Sequence, residues 1–597
     1  MLNSLKINEI AASIQNKNLA VFCGAGISVN SGVPSVVKIV NYILRQLEVE
    51  EEDIKSLVNE KNLNSPFKFA FEMFIEQLLQ ACKEKSLFEL FEIYNTKNLE
   101  PNNNHIFFAK LAKQGLLKII FTTNFDTLIE KALKKEDVAY RVIYQSKDFE
   151  KINEEPNKVK IIKLHGDYGD GSEHYKKSIV STIEKISREN QKYKQDNFIN
   201  YLFSKGKHKE VLILGYSCSD QLDITPQIEL IDKNLKRVFF IQHSDNKEKI
   251  ESIQKEESKN PFEKFNKSHR IYCNTDNIIS ALWKRIIKEP LPLSDNNKIE
   301  TKEAKPNWQK AIENWKRNIH SNNYVAGWIF DGLGAYKEAK KYFESALVIF
   351  KKIYGEEHPE VAKYLNNIGG ALKELGEYKK AIEALEKALD IDKKVYGEEH
   401  LNVARDLNNI GEALRESGEY KKGIESLEKY KKAISYYEKA LNIYKKVYGE
   451  EHPDIATNLN NIGAVLEALG EYEKAIEFLE KALNIYKKIY GEEYPDIATN
   501  LNNIGAVLRK LEKYDEAIEY LEKALDIDKK VYGEEHPNIA RTLNNIGMVW
   551  FKLEEYKEAL GYLEESLKIC MRFLGENHPD TKNVKKGIGI VKQKLNN

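Results

Sequence analysis

Three short clusters hold residue types able to do chemistry: Gly24-Ala25-Gly26-Ile27-Ser28, Thr122-Thr123-Asn124-Phe125-Asp126 and Leu164-His165-Gly166-Asp167. Paired glycines let a backbone pass close to a phosphate, and the N–H groups opening a helix attract negative charge. Asn124 is uncharged and offers a donor and an acceptor, which suits sugar hydroxyls or an attacking water. His165 titrates near neutrality and can take a proton from such a group. Asp126 suits two chemical tasks, holding the Asn124 loop or favouring a cationic transition state, and equally suits capping a helix that begins near Thr127. Taken singly, each residue also has a plain structural role: glycine for shape, Asn124 for a turn, His165 for packing. The glycine loop does not complete a dinucleotide fingerprint, because Val29 stands in place of a third glycine, and no Gly-x4-Gly-Lys-Ser/Thr occurs.

Residues 19–23 form an apolar run that ends at Gly24, which predicts a buried strand, a tight turn and a helix. Short apolar runs recur at 117–121, 160–164, 211–214 and 238–242, separated by helical or loop stretches. Strands alternating with helices predict a mostly parallel sheet covered on both faces, with ligands beyond the strand C-terminal ends. All three clusters fall at such ends, and so does a fourth, Leu214-Gly215-Tyr216-Ser217-Cys218-Ser219-Asp220. Residues 46–115 read as helical, with Phe67, Phe71, Phe74, Ile75 and Leu78 at helical spacing and Leu87, Leu90, Phe91 and Tyr94 repeating it. That stretch is either a packed subdomain or a lid over the site.

In this order, and with Gly32-Val33-Pro34 between them, the motifs resemble the NAD-binding and catalytic motifs of sirtuins (SIR2) over roughly residues 1–285. The Gly215 cluster is similar to a loop in SIR2-like domains of bacterial defence proteins. The resemblance implies an α/β domain over 1–288, a Rossmann-like parallel sheet with the helical insertion at 46–115. It implies NAD+ as substrate, with Asn124 and His165 catalytic and Asp126 beside them. Gly24, Ala25, Gly26, Ser28, Thr123, Gly215, Ser217 and Asp220 would contact the dinucleotide. Thr123 stands where sirtuins carry glutamine, and Ser35-Val36 follow Pro34 where deacylases carry Asp-Phe-Arg. The zinc-binding cysteine pairs of deacylases are absent, so no metal is expected. Water then becomes the acceptor, giving nicotinamide and linear or cyclic ADP-ribose. By resemblance the setting is antiphage defence through NAD depletion. Two other readings stand beside it: a protein deacylase or ADP-ribosyltransferase, and a non-catalytic scaffold.

The 597 residues are too many for one core. Lysine plus arginine and aspartate plus glutamate number 92 each, so net charge gives no argument for nucleic acid or an anionic membrane. The five cysteines, Cys23, Cys82, Cys218, Cys273 and Cys570, are scattered and include no C-x-x-C pair. That argues against a disulfide framework or structural zinc. The N-terminus lacks a signal-peptide pattern and no apolar run is long enough to span a bilayer, so a cytoplasmic protein is expected.

Residues 289–306, rich in polar residues and bracketed by Pro290, Pro292 and Pro306, predict a linker. Beyond it an Asn-Asn-Ile-Gly unit repeats with glycines at 369, 411, 463, 505 and 547, so the spacings are 42, 52, 42 and 42. Each unit adds Glu-Lys-Ala-Leu or a near match and then Tyr-Gly-Glu-Glu. The units resemble the tetratricopeptide (TPR) hairpins of kinesin light chains, which implies an all-α superhelical solenoid. About six hairpins over 307–579 and a capping helix over 580–597 are expected. The array would serve as sensor, regulatory or oligomerisation module, binding a phage or host protein or another copy of the chain. The ten extra residues near 419–434 predict a bulge, a longer loop or a change in superhelix path, since ten residues do not fit whole helical turns. The repeated asparagine pairs suit either clasping a peptide backbone or bonding between repeats.

Overall fold

The computed structural model describes residues 4–595 except 58–70, 83, 145–151, 153, 165–166, 173–174, 176–194, 217–227, 229–235, 245–248, 253–264, 266–268, 293–306, 320, 420–422, 493, 533–536, 574–575 and 577–578. The chain divides into two compact units, Met1–Leu333 and Gly334–Asn597.

Among the described residues the first unit is built on one sheet of eight strands: β1 (Leu19–Cys23), β2 (Ile119–Thr122), β3 (Tyr140–Ile143), β4 (Val159–Lys163), β5 (Glu210–Leu214), β6 (Arg237–His243), β7 (Lys249–Ser252) and β8 (His269–Cys273). Their order is β3-β4-β2-β1-β5-β6-β8-β7, and every pairing is parallel except β7 with β8. All five residues of β1 are buried, as expected of a central strand with both faces covered. Val21 and Cys23 enter one core with Leu212 and Leu214, while Ala20 and Phe22 enter the other with Phe121 and Ile213. The expected apolar runs are strands β1, β2, β4, β5 and β6. Strands β3, β7 and β8 were not foreseen, because the edge strand β3 and the strand β8 beside the other edge are only partly buried and allow mixed sequences such as Tyr-Arg-Val-Ile and His-Arg-Ile-Tyr-Cys.

Nine helices of this unit matter below: α1 (Ser4–Gln15), α2 (Val36–Gln46), α3 (Glu51–Leu57), α4 (Phe71–Ala81), α5 (Glu84–Leu90), α6 (Asn103–Lys113), α7 (Leu128–Lys135), α8 (Gln195–Asn200) and α9 (Thr275–Ile286). In the helical stretch α3 to α6, Phe74, Ile75, Leu78, Leu90, Phe91 and Tyr94 are buried. Two helices beyond the composition change near 306, Asn307–Asn318 and Asn322–Gly332, also belong to this unit. The first packs on α5 and α2, the second on α4. The topology reverses at β1, because the chain passes from β1 to β2 on one side and returns to β5 on the other. A crevice therefore opens beyond the ends of β1, β2 and β5.

The second unit opens with helix Tyr336–Tyr354 and continues as five helical hairpins and a closing helix, Pro579–Leu595. A regular hairpin pairs a 16-residue helix such as Pro453–Ala468 with a 19-residue helix such as Tyr472–Tyr490. A Cβ on Gly463 would lie 2.7 Å from Leu479 Cγ, so glycine sets the approach of the two helices. His358, His400 and His452 accept through Nδ1 from N–H groups two residues on at 3.1–3.2 Å, capping the next helix. Each ring stacks on the tyrosine that ends the previous helix, Tyr354, Tyr396 or Tyr448.

The ten extra residues are absorbed mainly by helix. The hairpin made of Leu401–Glu419 and Ile424–Tyr448 has helices of 19 and 25 residues, so both run past the usual tip. Lengthening at the tip leaves the packed seam in phase, which removes the need for the expected bulge. The asparagines bond from repeat to repeat: Asn409 to Asn366, Asn461 to Asn408, Asn503 to Asn460 and Asn545 to Asn502 at 3.1–3.4 Å.

Candidate active site

At the crevice the backbones after β1 and β5 lie against each other. Gly24 N–H donates to Leu214 O and Gly26 N–H to Gly215 O, both at 3.0 Å. A Cβ on Gly24 would stand 2.6 Å from Gly215 O. Gly215 itself has φ +65°, and its Cβ would stand 2.7 Å from Ile27 N. The glycines are thus required by close backbone packing, and the N–H groups of Gly24 and Gly26 are already committed. Ala25 opens a short 3₁₀ helix, Ala25–Ser31, that carries Ser28 into a fully buried position.

The loop after β2 is fixed to the same place. Thr123 N–H donates to Cys23 O at 3.2 Å, and Asn124 N–H donates to Thr122 Oγ1 at 3.0 Å. Asn124 Nδ2 donates to Ser28 Oγ at 3.0 Å and to Asp126 Oδ2 at 3.2 Å. Asp126 Oδ1 accepts from Leu128 N–H at 3.0 Å, so this carboxylate holds both the start of α7 and the Asn124 amide. Asn124 Oδ1 is buried and has no hydrogen-bond partner among the described residues.

His105 completes the network. Its Nε2 lies 3.1 Å from Ser28 Oγ, while Nδ1 accepts from Asn102 N–H at 3.2 Å. A ring that accepts at Nδ1 carries its proton on Nε2, so His105 donates to Ser28. Burial pushes the imidazole down to about 4, against the pull of the Asp126 carboxylate, which keeps it neutral. Ser28 Oγ then accepts from Asn124 and from His105. With both lone pairs occupied, its own proton is left for a third group. Asn102 caps α6 in a reciprocal box with His105, and its Nδ2 donates to Ile27 O at 2.7 Å. Asn104 Nδ2 reaches Asp276 Oδ1 at 3.0 Å, which ties α6 to α9.

Of the expected site residues, the structure therefore brings together Gly24, Ala25, Gly26, Ser28, Thr123, Asn124, Asp126 and Gly215. His165, Gly166, Ser217 and Asp220 lie outside the described residues. Leu164, the neighbour of His165, donates its N–H to Thr122 O at 2.9 Å. The helical stretch meets the loop through Tyr94, whose ring lies 4.8 Å from that of Phe125. His105 was not foreseen. Its signal was Asn102-Asn103-Asn104-His105 before an apolar run, an N-cap pattern, but its bond to Ser28 spans 77 residues. Among the described residues, no group of three or more histidine, cysteine, aspartate or glutamate side chains is placed to hold a metal ion. A surface cleft of about 380 Å³ lies elsewhere, between Glu89, Glu92, Asn314 and Arg317. It reaches the crevice loops through Glu92, which accepts from the Tyr168 hydroxyl at 2.9 Å.

The sheet is doubly wound and the polar network lies at its switch point, the place where ligands bind in open α/β domains. The chain carries a SIR2-like domain, matched over residues 118–262, and tetratricopeptide repeats, matched over 318–394, 366–430, 424–488, 496–570 and 540–597. It is 27% identical over 260 residues to the NAD(+) hydrolase ThsA of Bacillus cereus (strain MSX-D12), covering 42% of this chain and 46% of that protein. It is 35% identical over 136 residues to an NAD-dependent protein deacetylase of Clostridium perfringens (strain 13 / Type A), covering 22% of this chain and 47% of that one. The chain thus spans just under half the length of these relatives. Solved structures similar to it include BtubC from P. vanneervenii, with 20% identity, TM-score 0.34, 41% of this chain and 94% of that one. A Podosopora anserina kinesin light chain with nearly identical TPR-like repeats gives 20% identity, TM-score 0.30, 36% of this chain and 97% of that one.

Proposed function

We propose that the N-terminal domain hydrolyses NAD+ to nicotinamide and ADP-ribose. The observation that carries this reading is Asn124: a buried neutral amide with both donor contacts made within the protein and Oδ1 without a partner among the described residues. A buried amide oxygen without a partner costs about 1–3 kcal/mol, a cost that a ribose hydroxyl or a bound water would remove. Because the nicotinamide bond breaks through a cation-like ribose, a water held on the amide oxygen is well placed as acceptor. An amide is not a base, so the proton passes to His165 on this reading. Ser28 offers its proton to an oxygen of the dinucleotide, and Ala25 N–H opens the helix beside it. Asp126 positions Asn124 rather than the substrate.

The relative named as an NAD(+) hydrolase supports water as the acceptor, and so does the absence of paired cysteines from the sequence. The TPR array then serves as sensor, regulator or oligomerisation surface. A toxic hydrolase held inactive until a phage or host protein engages the repeats fits antiphage defence by NAD depletion. A second reading, NAD-dependent deacylation, takes its support from the relative named as a deacetylase. The test is to incubate the full chain with NAD+ alone, and then with phage-infected lysate or an acyl-lysine peptide, while following nicotinamide and ADP-ribose. Turnover without peptide, lost in Asn124→Ala and His165→Ala, supports hydrolysis. Turnover only with peptide replaces that reading with deacylation.

A further inference from the structure

Behind the Asn124 loop lies a buried ion cluster that the reaction above does not use. Lys163, the last residue of β4, is 1% exposed. Its Nζ donates to Asp126 O at 2.7 Å and to Asp167 Oδ1 at 2.5 Å, with Phe125 O at 3.4 Å. Glu130, on α7 and 6% exposed, brings Oε1 to 2.7 Å from the same nitrogen. An ammonium has three N–H bonds, and the two carbonyls and Asp167 take their directions. Glu130 is left beside the cation as a fourth neighbour, and among the described residues neither of its oxygens receives a well-aligned hydrogen bond. A buried carboxylate in that position is an incompletely compensated charge.

The charged and titratable groups around Glu130 are Lys163 and Asp167 from β4 and its following loop, Asp126 from the loop after β2, Tyr140 on β3 and the Cys23 thiol on β1. Burial, with the Asp167 charge adding to it, pushes the Glu130 carboxyl up to about 7 against the pull of Lys163. Lys163 itself is held charged by the two carboxylates, well above its ordinary value despite burial.

We propose that Lys163, Glu130 and Asp167 are positioning residues for the Asn124 loop, with the charge state of Glu130 setting how firmly Lys163 grips the Asp126 carbonyl. The proposal rests on the hydrolase reading. Ionised Glu130 draws the ammonium toward itself and away from Asp126 O. When Glu130 takes a proton from solvent, Lys163 is released to Asp126 O and Asp167, and the Asn124 amide is held in place through Asp126 Oδ2. Turnover is therefore favoured by the protonated cluster.

The test compares the full-length protein with Glu130→Gln, which keeps the shape and removes the titration. The first readout is the ratio of kcat/KM for NAD+, variant over wild type, across a pH range of about 5.5 to 8.5. We expect a ratio near one at the acid end, rising several-fold at the alkaline end. A ratio that does not change with pH overturns the proposal. The second readout is Tm of the N-terminal unit against pH. The folded-state value of Glu130 is raised from 4.5 to about 7, so the folded protein binds the extra proton between those values. Wild-type stability should fall relative to Glu130→Gln as pH rises through that window. Parallel curves overturn the proposal. No turnover at any pH, with phage-infected lysate as well as without it, would sink the hydrolase reading, while the melting comparison would still decide whether Glu130 titrates in the cluster.

Discussion

Replacing His105 with leucine keeps an apolar side chain of comparable bulk in a fully buried site while removing one donor and one acceptor. At neutral pH the cost to stability is modest, because Asn102 N–H keeps a second acceptor, Ser31 Oγ, at 3.1 Å. The loss amounts to the bond to Ser28 and part of the bond to Asn102, about 1–2 kcal/mol. At acid pH the sign reverses. The imidazole is pushed from 6.5 down to about 4 in the folded protein, so the unfolded chain binds more protons between those values. The stability tied to His105 is fully present above pH 6.5 and is lost as pH falls toward 4. A shift of that size corresponds to roughly 3 kcal/mol. His105→Leu lacks this loss, so it should be the less stable protein at pH 7 and the more stable one near pH 4. Urea unfolding followed by tryptophan fluorescence reads this in the right unit, because Trp283, Trp308, Trp315 and Trp328 lie before residue 334 and Trp550 after it. Turnover should fall about tenfold at pH 7, since Ser28 regains a free lone pair and its proton is no longer directed. Stability differences that stay constant with pH, or unchanged kcat/KM, would refute the tautomer and the role given to it.

Asn124→Ala should lower nicotinamide release about a hundredfold, the scale expected of one preorganised polar group, with little change in the circular dichroism of the fold. Gly215→Ala forces φ +65° on alanine and sets a Cβ 2.7 Å from Ile27 N, so the urea midpoint of the N-terminal unit should drop by the equivalent of about 2 kcal/mol or more. In the array, burial and the Asp392 charge push Asp406 up to about 7, so array stability should fall as pH rises from about 4 toward that value. Asp406→Asn should melt later than wild type at pH 8, by the equivalent of about 2–4 kcal/mol, and show a flatter pH profile by helical circular dichroism. Asn460 Oδ1 accepts from Asn500 and Asn503, both at 3.1 Å, so Asn460→Ala should lower array stability by about 2–4 kcal/mol through two orphaned amides. An unchanged melt would mean the ladder is held by water instead.

The five central strands were legible because strands covered on both faces must be apolar throughout, as in Leu-Ala-Val-Phe-Cys. The edge strand Tyr140–Ile143 and the antiparallel pair at the other edge had no such constraint. At the site, the glycines, Ser28, Asn124 and Asp126 announced themselves by type and spacing. The reason for the glycines did not, since a strand-end loop nearly two hundred residues away sets their packing. His105 and Lys163 were hidden for a related reason. Lys163 sits in Val-Lys-Ile-Ile-Lys-Leu, which reads as a strand, and only the folded chain shows it buried between Glu130 and Asp167. The repeat period fixed the hairpins, yet it could not tell a longer loop from longer helices near residue 420, because both add the same number of residues.

The asparagine ladder constrains how the array can recognise anything. Its bonds recur in nearly every repeat, and the amides that make them are engaged with one another. A surface that repeats along the solenoid axis offers a partner the same contacts at every register, so it cannot by itself select one. Register must come from positions where near-identical repeats differ. On the first helices the half-buried residue after Asn-Asn-Ile-Gly changes from Gly370 to Glu412, Ala464, Ala506 and Met548. One such difference makes an ion cluster between two neighbouring hairpins, where Lys373 meets Glu412 at 3.2 Å and Glu416 at 3.5 Å. The lengthened hairpin breaks the translation again and carries Ile424, 76% exposed, at its tip. Any selectivity of the array would then reside in these departures from the repeat, while the repeated asparagines bond each hairpin to the next.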